Sequence, residues 1–136
     1  MAGYSATPLS QKLGIKVGHV VAALGAPADF TAALGQLPAG VHVVHDLRGH
    51  RDVVVAFFSV RALFERRLAA LTRAIFPDGG LWIAWPKKAS KVATDITEDV
   101  VRAVALPTGL VDNKVCAIDD VWSGLRLVVR VENRRR

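Results

Sequence analysis

The sequence contains one cysteine, Cys116, and no apolar run near the roughly 20 residues that a membrane-spanning helix needs. A single cysteine allows no intramolecular disulfide, which fits a reducing compartment. The first ten residues contain no basic segment followed by a long apolar run, so nothing in them suggests export. We therefore expect a cytoplasmic protein without membrane contact.

Familiar catalytic and metal-binding motifs are also missing. The four histidines do not have the spacing of zinc ligands, so we predict no metal site. Ser59 follows an apolar run but lacks the flanking glycines of a nucleophile elbow, and a role as a helix cap explains it better. Asp119 and Asp120 fall in a predicted hairpin connection, where acids commonly face water. No catalytic residue is assigned, and the pattern leans away from an enzyme.

Basic residues outnumber acidic ones, which gives a formal net charge of +6. Arg134, Arg135 and Arg136 at the end of the chain supply half of this excess. The other basic residues are spread along the chain, so a solvated basic surface explains them. A polyanion or protein partner bound through the basic loops is the alternative.

Half of the 136 residues are hydrophobic, which is enough for one globular core. We predict a single domain over 1–136, with an N-terminal arm over 1–10 and a basic tail over 132–136. Apolar runs predict strands at 19–24, 41–47, 53–58, 81–85, 110–118 and 125–131. Helical periodicity predicts helices at 29–34 and 61–76, and an Asp95–Glu98 capping box predicts the start of a third.

This order of elements predicts a Rossmann-like α/β three-layer sandwich with a mainly parallel sheet of about six strands. The last two strands form a C-terminal antiparallel hairpin. Leu125, Leu127 and Val129 alternate with charged residues, so we expect the last strand to expose one face. The edge of this hairpin, over 110–131, is a candidate surface for a homo-oligomer.

Two resemblances support this architecture. The segment FPDGGLWI at 76–83, between a predicted helix and the later elements, resembles the second half of class I methyltransferases that use S-adenosylmethionine. The segments YSATPL at 4–9, KLGIK at 12–16, WPKK at 85–88 and VWSGLR at 121–126 resemble DUF3052, a bacterial family of unknown function. The first resemblance implies a fold, and the second implies no substrate.

Gly25 and Asp46 are the best candidates for a cofactor site. Gly25 follows the first predicted strand, where related folds have a glycine-rich turn, but Pro27 lacks the N–H that such a turn offers to a phosphate. A purely structural turn therefore explains Gly25 better. Asp46 follows about twenty positions later, where an acid often binds a ribose hydroxyl. A salt bridge or a local turn is the competing explanation for Asp46.

Lys87 and Lys88 are candidates to bind a phosphate or carboxylate, because they follow a strand whose carboxyl end faces the usual ligand crevice. Lys91 adds a third charge. Trp85 and Trp122 are candidate stacking surfaces if the hairpin folds back, and Ser123 lies beside Trp122. The alternative is a solvated loop next to core tryptophans.

These patterns favour a non-enzymatic binding or regulatory module without a cofactor. The alternative is a small-molecule protein that binds a nucleotide or S-adenosylmethionine, including a reduced methyltransferase-like enzyme. The sequence does not decide between them.

Overall fold

The computed structural model describes residues 7–135. Along this range the α-helices and strands are α1 Leu9–Lys12, β1 Val20–Leu24, α2 Phe30–Ala33, β2 His42–Val44, β3 Val53–Phe57, α3 Arg61–Ile75, β4 Gly80–Pro86, α4 Glu98–Ala105, β5 Leu110–Ala117 and β6 Trp122–Val129. Single turns of 3-10 helix occupy Lys88–Ser90, Leu106–Thr108 and Val131–Asn133.

The strands form one sheet in the order β2-β1-β3-β4-β6-β5. The strands β2, β1, β3 and β4 are parallel to their neighbours, whereas β6 runs antiparallel to both β4 and β5. This arrangement confirms the predicted Rossmann-like α/β fold with a C-terminal antiparallel hairpin. The edge strand on the hairpin side is β5, and self-association through it stays a prediction.

The central strands β3 and β4 are buried along their whole length, as their unbroken apolar runs predict. Helices α3 and α4 cover one face of the sheet, which we call the α3/α4 face. The other face, the α1/α2 face, packs against Leu13, Phe30 and Leu34. Trp82 on β4 points to this second face and donates from Nε1 to the carbonyl of Leu13 at 3.0 Å. The sheet therefore lies between two layers.

The predicted helix caps, Ser59 for α3 and Asp95 for α4, are both wrong. Ser59 does not cap α3. Instead, the Oδ1 atom of Asp95 accepts the backbone N–H of Arg61, the first residue of α3, at 2.6 Å. Helix α4 is capped by Thr97, whose hydroxyl accepts from Val100 at 3.2 Å. Asp95 thus satisfies a free N–H of a helix that begins 34 residues earlier in the chain.

The beginning of the described chain is packed on the domain. The N-terminal arm predicted over 1–10 falls partly on residues 1–6, which are outside the described residues. Helix α1 already begins at Leu9, and Ser10 is buried. The Ser10 amide donates to the carbonyl of Leu34 at 3.1 Å, and its hydroxyl donates to that of Gln36 at 3.0 Å. Leu9 and Ser10 therefore belong to the domain.

The prediction that β6 exposes one face is also wrong. Val128 is buried, and Arg126 is only partly exposed. This face of β6 is partly covered, because Trp122 packs edge-on against Phe57 and Arg126 lines a pocket with Lys12 and Leu13. Across residues 7–135, we find no helix with both the length and the apolar character to span a membrane.

Candidate functional site

The carboxyl ends of β1, β2, β3 and β4 all lie at one edge of the sheet, because these strands are parallel. The residues that follow them are Gly25, His45, Phe58 and Lys87. Open α/β sheets bind ligands at this edge. Two clefts open there.

Gly25 makes the first turn possible for two reasons. Its φ is +66°, a left-handed conformation that residues with a side chain adopt at a cost. A Cβ atom at this position would also lie 3.0 Å from the carbonyl oxygen of Phe57, at the end of β3. The chain therefore needs glycine here to bring the turn after β1 close to the neighbouring strand.

A cleft of about 440 Å³, which we call the β1 cleft, opens beside this turn. Its size falls in the range of small-molecule sites. The imidazole of His45 is at its rim, with Nδ1 at 3.1 Å from the carbonyl oxygen of Ala23. The cleft has no lysine or arginine among its described lining residues, which are Ala23, Leu24, Gly25, Ala26, Pro27, Ala28, Phe30, Thr31 and His45.

Asp46 does not line the β1 cleft. Its Oδ1 atom accepts from the backbone N–H of Arg48 at 3.0 Å and from the Nη2 atom of Arg51 at 2.6 Å. These two hydrogen bonds, with the Arg48 amide first, lower the pKa of Asp46 below its ordinary value. The structure therefore shows both the salt bridge and the local turn that were the competing explanation for Asp46.

The second cleft, the β4 cleft, has a volume of about 520 Å³ and lies next to the end of β4. Lys88 and Lys91 line it, but Lys87 does not. Lys91 has a φ of +63°, and it is the one non-glycine residue of the described chain with a positive φ. The full lining is Trp85, Pro86, Lys88, Lys91, Val92, Ala93, Thr94, Ile96 and Thr97. The cleft thus joins an apolar base to a basic rim.

Trp85 and Trp122 do not form a shared stacking surface. Trp85 is buried on the α3/α4 face. The ring of Trp122 packs on the α1/α2 face, edge-on against Phe57 with centroids 5.1 Å apart. Ser123 pairs with Trp85 in the β4–β6 ladder, and the Lys87 amide donates to the carbonyl of Val121 at 2.7 Å.

Lys87, Trp122 and Ser123 thus lie near the start of β6, whereas Gly25 follows β1 and Asp46 follows β2. The six predicted site residues do not line one cleft. Sequence reasoning missed Thr31 and His45 as cleft residues. The position of His45 directly after β2, at the carboxyl edge of the sheet, was the signal that could have identified it.

The surroundings of His50 and Cys116 do not favour a catalytic role for either residue. His50 lies 3.9 Å from Asp52 and 3.6 Å from Asp78, both through side-chain atoms. Burial raises the pKa of the Cys116 thiol, which makes it a poor nucleophile. No group of three metal-ligating side chains is placed for a metal ion within residues 7–135.

Comparisons with solved structures identify the fold. A S-adenosylmethionine-dependent methyltransferase from Aquifex aeolicus is 17% identical, has a TM-score of 0.59 and matches 88% of this chain and 87% of its own. A ribosomal protein L11 methylase from Lactobacillus delbrueckii subsp. bulgaricus has 13% identity, a TM-score of 0.60 and coverages of 89% and 74%. Magnesium protoporphyrin IX methyltransferase from Synechocystis PCC 6803, with bound SAH, has 12% identity, a TM-score of 0.53 and coverages of 83% of this chain and 74% of its own.

These similarities show a methyltransferase-like Rossmann fold, and at such identities they show the fold alone. No protein-family model matches the chain, and no curated protein does. The resemblance to DUF3052 therefore stays a prediction.

Proposed function

We propose that this protein binds a phosphate-free adenosine cofactor of the S-adenosylmethionine type in the β1 cleft. The observation that carries the proposal is the open cleft at Gly25, at the sheet edge where this fold binds ligands. The methyltransferase-like fold supports the same conclusion. The proposal therefore follows the small-molecule hypothesis rather than that of a module without a cofactor.

The lining of the β1 cleft fits a cofactor without phosphate better than a dinucleotide. Pro27 has no N–H to offer a phosphate, and α2 has only four residues. Asp29, directly before α2, adds a negative charge near the cleft. With no lysine or arginine among the described lining residues, a pyrophosphate would have no counter-charge. S-adenosylmethionine carries a sulfonium cation and no phosphate.

The residues that would hold such a cofactor are those of the turn and its two polar neighbours. The backbone from Gly25 to Ala28 would contact the adenosine, and Thr31 and His45 supply a hydroxyl and an imidazole for hydrogen bonds. Asp46 does not line this cleft and is ion-paired with Arg51, so we assign it no contact with the cofactor. A bound sulfonium group would supply an activated methyl group.

Calorimetric titration of the full chain with S-adenosylmethionine and S-adenosylhomocysteine tests this proposal. Ala28→Phe places a ring in the cleft at an exposed position, so we expect it to weaken binding by at least about tenfold, which is about 1.4 kcal/mol. Ala32→Phe is the matched control, because Ala32 is exposed on helix α2, directly after this turn, but does not line the cleft.

Binding of both sulfur compounds that Ala28→Phe removes and Ala32→Phe retains would support the proposal. Absence of binding at millimolar ligand, or preferential binding of NAD or ATP, would refute it. Release of S-adenosylhomocysteine in the presence of a methyl acceptor would extend the assignment from a binding protein to an enzyme.

A second candidate function, favoured by the basic rim of the β4 cleft, is binding of an anionic partner. Lys88 and Lys91 project from a 3-10 turn that is fixed by a hydrogen bond from the Ser90 hydroxyl to the carbonyl of Lys87, at 2.7 Å. A single-stranded oligonucleotide is the probe for this function. Its affinity should fall steeply between low and physiological salt, and also in the Lys88→Ala/Lys91→Ala double variant. Salt-independent or absent binding would exclude it.

A further inference from the structure

A cluster of positive charges lies away from both clefts, on the α1/α2 face. A pocket of about 230 Å³ there is lined by Lys12, Leu13, Gly14, Asn113, Lys114 and Arg126. Every charged residue of this lining is basic. The two lysines and the arginine come from three separate elements, namely α1, β5 and β6.

A β-bulge brings two of these charges together. The register between β5 and β6 shifts between Asp112 and Lys114, so that Asn113 is the extra residue. Asp112, before the bulge, points to the α3/α4 face, where its Oδ2 atom accepts from Nε of Arg102 at 3.0 Å. After the bulge, Lys114 lies directly opposite Arg126. Bulges re-aim side chains in this way, and they are frequent next to functional sites.

The pairing of Lys114 with Arg126 is unfavourable as it stands. Like charges directly opposite each other on neighbouring strands destabilise a sheet. Neither of these two residues nor Lys12 forms an ion pair with a carboxylate of residues 7–135. The acid nearest in sequence, Asp112, is bonded to Arg102 on the opposite face.

The Arg126 guanidinium packs against the start of β4. It lies over Gly80, the first residue of β4, where a Cβ atom would be 2.7 Å from both Nε and Nη2 of Arg126. Burial lowers the pKa of Arg126, and the positive charge of Arg134 lowers it further. Lys114 is held too, because its Nζ atom donates to the carbonyl of Lys12 at 3.1 Å. The side chains of Lys114 and Arg126 thus line the same pocket.

We propose that this pocket binds the phosphate group of a small phosphorylated molecule between Arg126, Lys114 and Lys12. These three residues line the pocket together, and their guanidinium and ammonium groups are the donors that phosphate oxygens prefer. The pocket is larger than inorganic phosphate alone, which leaves room for the group that the phosphate is attached to. This site is separate from the β1 cleft, so it stands or fails independently of the proposed cofactor.

Thermal unfolding of the full chain with inorganic phosphate or glycerol 3-phosphate tests the site, with sodium chloride at the same ionic strength as the reference. Both phosphates should raise the Tm of the wild-type protein above the chloride reference. Lys114→Glu places a carboxylate opposite Arg126, so it should raise the Tm in chloride and abolish the phosphate effect. Arg66→Glu, with the same charge change on exposed α3, should leave the phosphate effect intact.

A phosphate effect that Lys114→Glu removes and Arg66→Glu retains supports the site. An absent effect in the wild-type protein, or an equal effect in both variants, overturns it. A short oligonucleotide that binds through Lys114 while both small phosphates fail would overturn the assignment to a small molecule.

Discussion

Asp46 is held at the end of β2 by two donors, the Arg48 amide and the Arg51 guanidinium. Arg51 is bound in return, since its Nε atom donates to the carbonyl of Asp46 at 3.2 Å. These contacts fix the polar connection between β2 and β3, next to the rim of the β1 cleft. The role of Asp46 at the residue scale is therefore structural first.

We expect Asp46→Asn to remove part of the pH dependence of stability. The folded-state pKa of Asp46 lies below its ordinary value, so the carboxylate stabilises the fold at pH values above that ordinary pKa. This contribution is lost as the pH falls from that value through the lower folded-state pKa. Urea unfolding at a series of pH values should therefore show that the wild-type protein has a larger free energy of unfolding than Asp46→Asn at about pH 6 to 7. This difference should disappear in acid.

Asp120→Asn is the control, because Asp120 is an exposed acid in the β5–β6 turn. A wild-type advantage over Asp46→Asn that stays constant down to strongly acidic pH would contradict this account of Asp46.

At the residue scale, some features of the candidate sites were predictable from the sequence and others were not. Gly25 was predictable because glycine adopts the positive φ of such a turn at no steric cost. The pairing of Lys114 with Arg126 was not predictable, because it depends on a bulge that no residue type marks. The separation of Gly25 from Lys87 was equally hidden, because it depends on the position of β3 between β1 and β4 in the sheet.

At the scale of elements, α3 depends on a cap from a distant segment. Strand β3 and helix α3 were predictable from an unbroken apolar run and a long helical period. The capping residues of the helices were not, because Asp95 caps α3 from 34 residues away and a sequence pattern indicates only local caps. Helix α1 was missed because four residues are too few to show a period.

We expect Asp95→Ala to destabilise the protein by about 0.5–2 kcal/mol, the usual cost of losing a helix cap. Ser59→Ala is the matched control, since Ser59 precedes the same helix but does not cap it. Chemical denaturation of both variants measures the difference. A larger loss of stability in Ser59→Ala than in Asp95→Ala would contradict the assigned cap.

At the scale of the whole molecule, one sheet carries three separate candidate sites. The β1 cleft and the β4 cleft lie at the carboxyl edge, and the phosphate pocket lies on the α1/α2 face near the start of β4. We propose the β1 cleft as the cofactor site, because it opens beside Gly25 at the carboxyl edge of the sheet. The central claim is therefore about where a sulfur-containing adenosine ligand binds.

An NMR titration of the isotope-labelled full chain with S-adenosylhomocysteine tests this claim most directly. We predict that the amide signals of Gly25, Ala26, Thr31 and His45 shift on binding, because these residues line the β1 cleft. Signals from the β4 cleft, such as those of Lys88 and Lys91, should change little. Shifts centred on the β4 cleft, or no shifts at millimolar ligand, would contradict the account.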